Sequence, residues 1–66
     1  MNVIEVYERR DAKTDAPLGE YDWRVRATNG NIVATSGGQG YVDRGECERM
    51  ALAIVSPRYA KQVVHK

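Results

Sequence analysis

Trp23-Arg24-Val25-Arg26-Ala27-Thr28-Asn29-Gly30-Asn31-Ile32-Val33-Ala34-Thr35-Ser36 is the stretch that decides the fold of this 66-residue chain. Asn29-Gly30 at its centre is a strong hairpin signal, because a two-residue type I′ turn needs positive φ at both central positions. Counting outward from that turn sets Ala27 opposite Ile32, Val25 opposite Ala34 and Trp23 opposite Ser36, all on one side. The other side collects Arg24, Arg26, Thr28, Asn31, Val33 and Thr35. The two arms agree about the apolar face, although the turn alone does not require it. A one-residue slip would carry Arg24 and Arg26 into the core.

Upstream, Val3-Ile4-Glu5-Val6-Tyr7-Glu8 reads as a strand, with Ile4 and Val6 toward the core and Glu5 and Tyr7 on the opposite face. The reverse orientation would bury Glu5 without a partner. Arg9 to Tyr21 carries charges, Pro17 and Gly19 without a period, and reads as an exposed loop, either a tolerated insertion or a binding element. Downstream, Ser36-Gly37-Gly38-Gln39-Gly40 invites a phosphate-cradle reading. It lacks the following Lys-Ser/Thr, and Tyr41-Val42 part it from the helix start, so it reads as a flexible connection.

Asp43 is a good N-cap, and Glu46 completes an aspartate variant of the capping box. Cys47, Met50, Ala51, Ile54 and Val55 then form one apolar helical stripe, with Leu52 well off it. Pro57 ends the helix. Lys61 to His65 reads as a short terminal strand, and Val63-Val64 there need something to pair with.

The length implies one domain, residues 1–66. A chain this small buries only about 60% of its unfolded surface, so its core is marginal without a disulfide, a metal or a partner subunit. One cysteine rules out an internal disulfide, and one histidine near the chain end argues against a metal; no cofactor is expected. Self-association remains. The net charge of +1, with both signs interspersed, argues against a dedicated nucleic-acid or membrane-surface protein. No apolar run is long enough for a signal peptide or membrane span, and the free thiol fits a reducing cytoplasm.

No catalytic constellation is visible. Cys47 near a helix N-terminus could be an activated thiol, but its place on the apolar stripe favours a packed core residue. His65 has no sequence-evident partner, and Glu46 and Glu48, two apart on a helix, point away from each other. The surface offering a binding site is the outer sheet face, with Tyr7, Arg24, Arg26 and Thr35 displayed together beside Thr28. Basic and aromatic groups in that arrangement stack bases. Glu5 lies among them and could neutralise an arginine across the sheet.

The quoted stretch, followed by Gly40-Tyr41, Arg44 and Cys47, resembles the YegP-like family of small prokaryotic domains of unknown function. That family's pattern is W-R-x-x-A-x-N-G-x-I-x-A-x-S, then G-Y-x-x-K and a helix containing cysteine; Ile4-Glu5-Val6-Tyr7 is similar to its first strand. Departures are the Arg9–Tyr21 segment, the extra Gly37-Gly38-Gln39 and an arginine at position 44. The resemblance implies a β-β-β-α-β unit, two of which share one sheet and exchange C-terminal strands. Small chains of this kind also occur among phage accessory proteins, whose expected partner is a host protein.

The resulting expectation is an α+β domain: a three-stranded antiparallel sheet, one helix and a short C-terminal strand, in a strand-exchanged homodimer with Leu52, Val63 and Val64 at its interface. Its expected role is non-enzymatic protein binding in the cytoplasm, through the outer face and the 9–21 segment. The alternative is weak single-stranded nucleic-acid binding on that face; no membrane partner is expected.

Overall fold

The computed structural model describes residues 2–66. Strands β1 (Asn2–Arg10), β2 (Pro17–Arg26) and β3 (Ile32–Thr35) are followed by helix α1 (Arg44–Ile54) and strand β4 (Ala60–His65). The sheet order is β3-β2-β1-β4, antiparallel between β1 and β2 and between β2 and β3, and parallel between β1 and β4. The fold is therefore α+β with one helix, but its sheet is four-stranded and mixed, where a three-stranded antiparallel sheet and a short C-terminal strand exchanged with a partner were expected. A parallel neighbour needs a crossover of about a dozen residues or more. The segment from Ser36 to Tyr59, with α1 inside it, supplies that crossover and delivers β4 to the free edge of β1.

The Arg9–Tyr21 segment is a second correction. It is mostly hairpin: β1 runs to Arg10, β2 starts at Pro17, and only 11–16 connects them. Asp11 organises that turn. Its amide donates to Ala16 O at 2.9 Å, and its Oδ1 accepts from the amides of Lys13 (2.8 Å) and Thr14 (3.0 Å). Those amides, Thr14 foremost, hold the Asp11 carboxyl below its usual range. Asp15 closes the turn in the left-handed region, φ 58°. The strand period was hidden because the pairing slips between Glu8 and Arg10, where β2 carries extra residues around Gly19 (φ 73°).

The second hairpin keeps its predicted register by a different turn. Among the described non-glycine residues only Asp15 has positive φ, so Asn29-Gly30 is not a type I′ pair. Gly30 N–H bonds Ala27 O, Ala27 N–H bonds Asn31 O, and Gly30 sits at φ 91°. This is the three-residue loop that ends in a left-handed glycine. It slips the pairing by one, so Ile32 faces Arg26, not Ala27, and is exposed. A bulge at Val33 then slips it back, restoring Val25 opposite Ala34 and bonding Ser36 N–H to Trp23 O. Two errors cancel, and the inner register stands.

Asp43 caps α1 by accepting from Gly45 N–H at 3.3 Å. The buried helix line is Cys47, Ala51 and Val55, spaced i, i+4, i+8. Met50 and Ile54, expected on that stripe, are exposed. A short helix lying on β2 and β1 touches the sheet along a single row, so its flanks stay wet. The core joins that row to Ile4, Val6, Trp23, Val25 and Ala60, with Tyr21, Ala34, Tyr41 and Val63 packed around it. No helix of the described residues is long and apolar enough to cross a membrane.

Candidate interaction face

Alternation along β1 and β2 sends Ile4, Val6, Trp23 and Val25 to the helix and leaves Glu5, Tyr7, Arg24 and Arg26 on the opposite, uncovered face. Glu5 stands opposite Arg24 in the antiparallel register. Glu5 is only 5% exposed, and three cations converge on its carboxylate. Arg24 Nε donates to Oε1 at 2.7 Å, Arg26 Nε donates to Oε2 at 3.1 Å, and Lys66 Nζ lies 3.7 Å from Oε2. Hydrogen bonds from Arg26 and then Arg24 hold the Glu5 carboxyl down at about 2, against the opposing effect of its burial.

The arginines are oriented by more than charge. The Arg24 guanidinium lies 4.4 Å from the Tyr7 ring centroid, a cation–π stack. Arg26 is pinned at a second point, Nη1 donating to Gly30 O at 2.7 Å. Thr35 is opposite Arg24 and exposed, its Oγ1 accepting from Gly37 N–H at 2.7 Å. Tyr7, Arg24, Arg26 and Thr35 are thus neighbours on one face. Beside them Val3, Glu5, Arg26, Ala27, Thr28, Val64 and Lys66 line an open hollow of about 360 Å³.

The three residues expected at a dimer interface lie in different surroundings. Val63 packs against the core, Val64 lines the hollow, and Leu52 is exposed on α1.

A second polar centre escaped the sequence reading. Asp22, 3% exposed, accepts at Oδ1 from Ser36 Oγ (2.8 Å) and Gly40 N–H (3.0 Å), and Arg9 Nε reaches Oδ2 at 3.3 Å. Tyr21 and Tyr41 exchange two backbone bonds next to it. The glycine-rich segment is therefore fastened to the sheet, and an amide that could have cradled a phosphate holds the chain's own carboxylate. Gly40 is required there: its φ is 73°, and a Cβ would come within 3.1 Å of Glu20 Oε1. The signal available in the sequence was an acid at position 22 inside a strand, which needs partners if buried.

Cys47 is fully buried, and burial, then the charge of Asp22, pushes its thiol up to about 11. A thiol so raised is a poor nucleophile at neutral pH. His65 has the partner the sequence did not disclose: its Nε2 is 2.6 Å from Glu48 Oε1, tying β4 to α1.

Residues 18–51 match the model of a family described as a domain of unknown function (DUF1508), a stretch covering most of β2, all of β3 and α1 as far as Ala51. No curated protein and no solved structure matches the chain.

Proposed function

The chain belongs to the family described as a domain of unknown function (DUF1508), and on that premise we propose that it is a non-enzymatic protein-interaction module, a homodimer that docks its partner on the open sheet face. The YegP-like resemblance agrees with the family match. The observation that carries the reading is the arrangement of Tyr7, Arg24 and Arg26 around buried Glu5 on a face no other element covers. Side chains locked before binding lose little further freedom on binding, which favours recognition.

The homodimer is supported by the small core and by exposed Met50, Leu52 and Ile54 on α1. In this reading β4 keeps its register on β1 but is donated by the partner subunit. A Val3→Cys/Gln62→Cys variant separates the two arrangements, because Val3 and Gln62 are neighbours in that register. Mild oxidation gives a linked dimer if β4 is exchanged and a linked monomer if it is not. The working location is the cytoplasm, and for a phage-encoded chain the partner is a host protein.

Affinity capture from lysate tests the docking face. Wild type should retain a partner that Tyr7→Ala loses. Identical captures, with both proteins folded, would refute the assignment. Single-stranded nucleic-acid binding by Tyr7, Arg24 and Arg26 is the competing reading, and it requires an affinity that falls steeply with salt. Glu5 already occupies the Nε of both arginines, which works against it.

A further inference from the structure

Glu5 uses only part of what surrounds it. Arg24, Arg26 and Lys66 bring three positive charges to one carboxylate, a local surplus on a chain whose net charge is only +1. Arg24 is the least exposed of the three, and the one whose guanidinium end is left unused. Its Nε is held by Glu5 and its guanidinium plane by Tyr7, while its two terminal nitrogens have no hydrogen bond to any described residue. That leaves the fork edge of a pre-oriented guanidinium, the edge that grips a carboxylate in bidentate fashion. The neighbouring hollow has apolar walls from Val3, Ala27 and Val64, of a size to accept an aliphatic side chain.

Resting on the reading of the open face as a protein-docking surface, we propose that its occupant is an extended acidic peptide segment, one carboxylate on the Arg24 fork and, two residues along on the same side of the segment, an aliphatic side chain in the hollow between Val3 and Val64. Glu5 is what makes the site selective. It fixes the arginines and offsets part of their charge, so a single carboxylate is enough to complete the balance. A polyanion laid along the same face would bring repeated charge against Glu5 and gain less from it. The aliphatic walls reward a neighbouring side chain that a bare phosphate lacks.

Fluorescence anisotropy at low salt, with the full chain, tests this. The probe is a fluorescein-labelled peptide of about twelve residues repeating glutamate-serine-valine-serine, which sets glutamate and valine on one side of an extended bound form. The matching peptide with lysine for glutamate and an oligothymidylate serve as competitors. The glutamate peptide should bind and the lysine peptide should not. Arg24→Gln should weaken binding about tenfold, and Arg24→Lys, which keeps charge but loses the fork, at least severalfold. Val64→Asp should also weaken it, and Arg49→Gln on the helix should change nothing. Circular dichroism confirms that each variant is folded. The proposal is overturned if the glutamate peptide fails to bind, if Arg24→Gln matches Arg49→Gln, or if oligothymidylate binds more tightly. Loss of a lysate partner in Tyr7→Ala with no glutamate-peptide binding would overturn the acidic occupant alone and leave the docking face standing.

Discussion

On the helix side of the sheet Ile4, Val6, Trp23 and Val25 meet Cys47, Ala51 and Val55; on the open side, one residue along the same strands, Glu5 meets Arg24, Arg26 and Lys66. Both sides remove their central side chains from water, by different means. The apolar side gains in proportion to area and tolerates reshaping. The ionic side gains only if donors and acceptors hold their geometry, and it depends on pH and salt. The apolar face holds the chain together, and the ionic face is the one on which the proposed docking rests.

The comparison breaks most severely at Trp23. Trp23→Ala should cost about 3–5 kcal/mol, against a total that size scaling puts at roughly 3–10 kcal/mol for such a chain. Urea titration followed by far-UV circular dichroism should show the unfolding midpoint fall by about a third or more. Trp23→Phe should retain the fold at much smaller cost, because the buried indole N–H has no hydrogen-bond partner among the described residues.

On the open side, Glu5→Gln should cost about 1–3 kcal/mol at pH 7, since it leaves the clustered arginines without their counter-charge. Urea midpoints measure the loss, and raising salt should narrow the gap between variant and wild type. Acid should reproduce the loss in the unmutated chain. The Glu5 carboxyl lies at about 2 when folded, below its ordinary 4.5. Its contribution is therefore complete above pH 4.5 and disappears as pH falls from there to 2. Allowing for solvent screening on an open face, the loss should be about 1–2 kcal/mol. Glu5→Gln should show a correspondingly flatter stability profile over that interval.

The smallest effects belong to the outer flank of α1. Leu52→Gln and Ile54→Gln should each change stability by no more than about 0.5 kcal/mol in dilute solution. If that flank joins the homodimer, the same variants should lower Tm at high protein concentration, where the dimer is populated.

Legibility followed the same division. Period-two alternation placed Ile4, Val6, Trp23 and Val25 correctly, because a buried face constrains every second residue. It also put Tyr7, Arg24 and Arg26 together and set Glu5 among them. It could not show that Lys66 joins them, because that depends on β4 returning beside β1, a long-range pairing with no local signature. The Asp22 centre was hidden for the same reason: its partners lie at positions 9, 36 and 40, joined only by the folded chain. Local turn chemistry misled in detail. Asn29-Gly30 carries the signature of a two-residue turn, but the loop takes three residues and Ile32 leaves the core face.

The central claim is that the open face is a pre-set ionic clamp and not an array of independently solvated side chains. The titration of the Glu5 side-chain carboxyl carbon, followed by ¹³C NMR in the folded protein, reads that directly. A clamp predicts a midpoint at about 2. A midpoint at the ordinary 4.5, in a chain still folded at that pH, would contradict it.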